Sequence, residues 1–200
     1  MKKIQVCNGM SIEVVVERVT NWARVLDAAR FTQGKCSLDK EPSDDFKRKI
    51  VLSEHSPLRL LEFDIKVYGI PYFSMGHFVR HVHAQPFVST SRPDITGAKV
   101  TRHELPQDAP VNMQLSLNAQ EILNISRLRL CNKAEITTRM IWGAVVSELR
   151  EIEPILADAC LPQCVVKGFC QEMKTCGYTG STSFDELREW FLCNFDRYNS

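Results

Sequence analysis

The sequence predicts an α+β fold, with helices packed on a small, mainly antiparallel sheet. Three observations carry that prediction. Residues 59–69, RLLEFDIKVYG, alternate strictly, with Leu61, Phe63, Ile65 and Val67 facing one way and Glu62, Asp64, Lys66 and Tyr68 the other. That is the period of a half-buried antiparallel strand. Helical periodicity, opened by polar start signals, dominates from residue 118 onward. No internal repeat or low-complexity tract intervenes, so short strands combine with long helices in one layered domain.

The elements follow in order. Residues 3–7 and 12–19 read as short strands, the second leading into a helix. Asn21 to Ala29 is helical, with Trp22, Val25, Leu26 and Ala29 on one side. Gln33-Gly34-Lys35-Cys36 breaks it. Ser43 is an N-cap for a helix to about Leu52, with Asp44 and Asp45 at the positive end of its dipole. After the strand, Gly69-Ile70-Pro71 turns the chain into a helix reaching Ala84, for which Pro71 suits the first position. There His77, Arg80, His81 and Ala84 share one face, and Met75, Phe78, Val79 and Val82 the opposite, core-facing side. An irregular stretch of roughly 85–116 holds four of the nine prolines; so long a loop inside a domain is usually functional. Asn118 and Glu121 form a capping box for a helix to about 128, and Asn132 and Glu135 a second one for a helix over 133–152. Ile136, Met140, Ala144 and Val145 are the expected core stripe of that long helix. Pro154 and Pro162 mark its end, and Ser183 with Glu186 caps a last helix to about Phe195. The chain therefore divides into 1–157 and a cysteine-rich appendage, 158–200.

Two hundred residues, 44% apolar and 24% charged, bury a core without staples. A formal net charge of +1 leaves no global field toward long nucleic acid or a membrane surface, so any anion site must be local. No apolar run has the length of a membrane span, and the opening residues do not read as a signal peptide. Eight cysteines in that setting point to reduced thiols or metal ligands, and the expected location is cytoplasmic.

Chemistry concentrates between Pro71 and Asp94. His77, Arg80 and His81 point together from one helix face. Ser89, Thr90, Ser91 and Arg92 then add hydroxyls, backbone N–H groups and a guanidinium, a set suited to a phosphate. The competing reading is a solvated basic face. A second cluster is Cys160, Cys164, Cys170 and Cys176, with Gly168 and Gly177 supplying tight turns. Four thiolates complete a tetrahedral structural zinc site with no open position; an iron–sulfur cluster or plain reduced thiols are the alternatives. Cys7, Cys36, Cys131 and Cys193 are scattered and read as packing residues, and His83 and His103 as surface.

Several segments resemble those of the flavin-dependent thymidylate synthases (the ThyX type). Arg80-His81-Val82, followed by Thr90 and Arg92, is similar to that family's RHR-x7-S signature. Ala28 to Thr32 is similar to AAR-x-S, His55-Ser-Pro57 to H-x-(S/T)-P-F-E-H without its spacer, and Asn118 to Arg129 to NAR-x-L-x-N-F-x-x-LR. The resemblance spans about residues 22–150. It implies the ThyX-like fold and a homotetramer with sites built from several subunits. It also implies FAD, a pyrimidine nucleotide such as dUMP, methylenetetrahydrofolate as carbon donor and NADPH as reductant. Carried over by position, Arg80, Arg92 and Arg129 hold the nucleotide, with His77 where glutamine is usual. Thr32, Ser56, His81, Asn118 and Asn124 line the flavin. The departures are Val82 for the third signature residue, Arg59 for the glutamate of P-F-E-H, Gln120 for the arginine of NAR, Val88 for a loop glutamate and Thr90 for serine. The expected activity is transfer of a one-carbon unit to C5 of dUMP or a related nucleotide. The alternatives are a nucleotide-binding or nucleotide-modifying protein on the same scaffold that has lost flavin chemistry, and a regulatory protein whose tail engages a partner.

Overall fold

Alternating apolar residues build the sheet as the sequence requires. In the computed structural model, which describes residues 1–6, 9–97 and 99–195, strands β1 (Lys2–Gln5) and β2 (Ser11–Arg18) precede helices α1 (Trp22–Phe31) and α2 (Asp44–Ser53). A 3-10 turn, Ser56–Leu60, leads into β3 (Glu62–Pro71) and α3 (Tyr72–Phe78). Next come β4 (Gln85–Val88), the one-turn α4 (Pro93–Thr96) and β5 (Pro110–Asn118). The chain closes with α5 (Ala119–Arg129), α6 (Ile136–Ile152), α7 (Pro154–Asp158), α8 (Gln163–Lys167) and α9 (Thr182–Phe195). The sheet order is β1-β2-β3-β5-β4, with every neighbouring pair antiparallel.

β3 is the central strand. Phe63, Ile65 and Val67 pair across β5 with Leu117, Leu115 and Met113, and with Ile12, Val14 and Val16 of β2 they form one buried face. Helix α6 packs on β1 and β2 over that face. Its fully covered Trp142 donates to Ser126 Oγ of α5 at 2.9 Å, so the indole is buried without an orphaned N–H. Trp22 Nε1 likewise donates to Glu153 at 2.8 Å, and Arg18 pairs with the same buried carboxylate, joining β2 and α1 to the start of α7. Gly69 sits in the left-handed region at a bulge between Val67 and Ile70; a Cβ there would lie 3.1 Å from the Ser11 carbonyl.

Several local expectations are corrected. The helix foreseen to Ala84 stops at Phe78 and gives way to turns closed by His81 N–H to Phe78 O and Ala84 N–H to His81 O, both 3.1 Å. Val79 and Val82, β-branched and weak helix formers, sit where the chain must straighten to pair β4 with β5. Val82 is therefore 89% exposed rather than core-facing. The supposed loop 85–116 contains β4 and most of β5; prolines at the edge strand and at a strand's start cost no ladder bond. Glu135, not Asn132, caps α6, accepting from the N–H groups of Thr137 and Thr138. That one-turn shift leaves Ile136 and Met140 exposed, while Ala144 and Val145 are buried as expected, joined by Ile141, Trp142 and Leu149. Ser181, not Ser183, accepts from the first turn of α9. Val165, Phe184, Phe191 and Phe195 join the same core as the sheet, α8 resting on α5 and α9 on α2. Among the described residues no helix is long and apolar enough to cross a membrane.

Candidate functional site

The C-terminal end of α5 and the turn after α3 converge on one guanidinium. Arg129 donates from Nη2 to the carbonyl of His77 at 2.8 Å and from Nε to His81 Nε2 at 3.2 Å. Nε2 is thus the acceptor, which leaves the imidazole proton on Nδ1, facing Glu121 Oε1 at 3.5 Å. Burial, and then the charge of Arg129, pull the His81 pKa down to about 4, so the ring is neutral near pH 7. Burial and the nearby charge of Arg80 also lower that of Arg129. Glu121, itself buried, accepts from Asn124 Nδ2 at 3.0 Å, while Asn118 accepts from the Glu121 N–H at 3.0 Å. Asn118 therefore caps α5 as foreseen. The reciprocal half of the capping box is absent because the Glu121 carboxylate turns to His81 and Asn124.

Beside this group lies a cavity of about 350 Å³ lined by Glu54, Arg59, His83, Asn118, Gln120, Glu121 and Asn124. Glu54 accepts from Gln120 Nε2 at 2.6 Å and pairs with Arg127. Burial alone would raise its pKa; the bonds from Arg127 and Gln120 outweigh that and hold the carboxyl below its usual range.

Of the expected site residues, the structure brings together His77, Arg80, His81, Asn118, Asn124 and Arg129. Others have local partners. Ser89 exchanges two bonds with Asn112 of β5, and Arg92 Nε donates to Asp94 Oδ1 at 3.1 Å. The Thr90 hydroxyl receives the Arg92 N–H, and Ser91 is half-buried on the same loop. Thr32 is exposed and donates to Ala29 O, and Ser56 is exposed at the head of the 3-10 turn; neither lines the cavity. Sequence reasoning missed Glu54 and Glu121; His83, read as a surface residue, is exposed and also lines the cavity. Glu121 was read as a cap and Glu54 had no motif around it; its left-handed backbone at φ 49°, past the end of α2, turns the side chain toward α5. Nothing in a single sequence signals that.

The expected zinc cysteines are not gathered as foreseen. Cys160 points into the core and donates to Leu156 O at 3.3 Å, and burial pushes its thiol up to about 12. Among the described residues no group of three or more His, Cys, Asp or Glu stands close enough to hold a metal ion. Cys7 lies outside the described residues.

No family model matches the chain. Over 65 residues it is 31% identical to the flavin-dependent thymidylate synthases of Saccharolobus solfataricus and Sulfurisphaera tokodaii, a match covering 32% of this chain and 25% of each relative. Its fold is similar to that of ThyX from Helicobacter pylori, solved with FAD and dUMP, at a TM-score of 0.60 and 16% identity over 75% of this chain and 99% of that one. The fold is ThyX-like. The fold is also similar to that of the UMP/dUMP methylase PolB of Streptomyces cacaoi, solved with 5-Br dUMP, at a TM-score of 0.58 and 14% identity over 74% of this chain and 94% of that one. The sequence match spans a quarter of its curated relatives' length; the fold match spans nearly all of the two solved chains.

Proposed function

We propose that this chain binds dUMP or a related pyrimidine nucleotide and transfers a one-carbon unit to its C5, with FAD, methylenetetrahydrofolate and NADPH. One observation carries the nucleotide part. Two guanidiniums, Arg80 and Arg129, stand near enough for one to lower the other's pKa, and among the described residues neither pairs with a carboxylate. Like charges held together without an acid are relieved by a bound anion, and guanidiniums suit a phosphate. In this reading Arg129 clasps the phosphate while the His77 carbonyl and neutral His81 fix its plane, and Glu121 holds His81 in the Nδ1–H tautomer. The fold neighbours bound to dUMP and to 5-Br dUMP support the pyrimidine.

The neighbouring cavity fits a flavin by its donor set. Asn118, Gln120 and Asn124 offer amides for a heteroaromatic ring, and Arg59 a guanidinium for a diphosphate. The two carboxylates there are already engaged, Glu54 by Arg127 and Gln120, and Glu121 by Asn124. When bound, a reduced flavin supplies the hydride that completes the transferred carbon as a methyl group. One observation favours a second reading, nucleotide binding without flavin: Gln120, standing where the family has arginine, is tied to Glu54. Two measurements separate these readings. Yellow protein that releases tritium from 5-labelled dUMP supports the transferase. Colourless protein that takes up no FAD but binds dUMP in calorimetry leaves the second reading, and failure to bind dUMP at all rejects both.

A further inference from the structure

A second cavity, of about 240 Å³, lies between the α5–α6 connection and the turns that follow α8. Four cysteines line it: Cys131, Cys164, Cys170 and Cys176. They differ from the set suggested by sequence spacing alone, because Cys160 is sealed in the core and Cys131, which looked solitary, faces the other three. Cys131 belongs to the connection that ends the site helix α5, two residues beyond Arg129; the remaining three come from α8 and the chain after it. Two further observations point to a ligand there. Residues 171–176 are all exposed and have no core of their own, so apolar burial does not account for their arrangement. Gly168 and Gly177 take left-handed backbone at φ 84° and 82°, giving the tight turns that flank Cys170 and Cys176. Arg127 and Lys133 also line the cavity, paired with Glu54 and with Glu172.

We propose that Cys131, Cys164, Cys170 and Cys176 bind one zinc ion, which staples the C-terminal segment to the end of α5. Zinc takes four thiolates tetrahedrally at about 2.3 Å. The sulfurs of the described residues are not that close, so binding draws the exposed turn at 170–176 inward while Cys131 stays on the α5–α6 connection and Cys164 on α8. Each thiol loses its proton to solvent as its sulfur–zinc bond forms, and no redox step is needed. The ion is structural, with every position filled by sulfur. It also fixes the helix end that presents Arg129, yet the site stands independently of the nucleotide reading.

The test uses the full chain, purified without chelator and supplied with Zn2+. About one zinc per chain is expected, and Cys131→Ser and Cys170→Ser should each lose it while Cys160→Ala keeps it. Because a core substitution can impair folding, thiol labelling of the unmodified protein gives a second readout. Zinc should shield Cys131, Cys164, Cys170 and Cys176 from N-ethylmaleimide and leave Cys36 and Cys193, both exposed, as reactive as before. Three results overturn the proposal: no zinc retained by the unmodified chain, equal labelling of Cys131 with and without zinc, or iron with inorganic sulfide in its place.

Discussion

Arg129 is positioned by an imidazole that accepts rather than donates, which makes its geometry sensitive to both charge and shape. Arg129→Ala should weaken dUMP binding about 30-fold, about 2 kcal/mol for a lost charge-assisted bond. Arg129→Lys should recover little of it, since an ammonium cannot reach the His77 carbonyl and His81 in one plane. Titration calorimetry decides this; near-native affinity in the lysine variant would remove the planar clasp from the argument. His81 adds a pH dependence. Its folded pKa of about 4 lies below the ordinary 6.5, so between those values the unfolded chain binds more protons. Stability is therefore intact above about pH 6.5 and falls as pH drops toward 4, by at most about 3 kcal/mol from this group. Urea unfolding at both ends of the window should show a larger loss for the native chain than for His81→Gln, and equal losses would contradict the assignment.

At the scale of elements, α5 links the sheet to the site, since its first residue follows β5 directly and its last carries the guanidinium. Asn118→Ala removes its cap and should cost about 1 kcal/mol, read by thermal or chemical unfolding. Glu54→Gln strips Arg127 of its charged partner and leaves a half-buried guanidinium whose Nε already lacks one. The expected loss is about 1–3 kcal/mol, between the values for exposed and buried pairs. Gly69→Ala should also destabilise by about 1–2 kcal/mol, because its left-handed backbone and the Ser11 carbonyl both resist a Cβ. No change in that variant would mean the bulge relaxes freely.

Across the whole molecule, the segment beyond residue 158 shares its core with the rest. Removing 158–200 would expose the faces of α2 and α5 that Phe191, Phe195 and Val165 now cover. The truncated chain is expected to express poorly or unfold at a lower temperature, and nucleotide binding should suffer with it. A truncation as stable as the full chain would identify the segment as a true appendage. The family resemblance also implies a homotetramer, and light scattering on the purified chain tests that directly.

Chain-local physics made much of this protein legible. The alternation of residues 59–69 determined the central strand and its buried face. The side-chain oxygens of Ser43 and Asn118 determined two helix starts, and the short motifs around Arg80 and Arg129 resemble those of the flavin-dependent thymidylate synthases. What the tertiary structure decided were matters of distance between segments remote in sequence. Helix α3 ends early because β4 must meet β5, an energetic demand no local propensity contains. Glu54 reaches Arg127, Glu121 turns to His81, and Cys131 rather than Cys160 faces the tail thiols, since burial and contact depend on how elements pack. Spacing along a chain shows which side chains a helix or turn presents together; only packing determines which of them meet across elements.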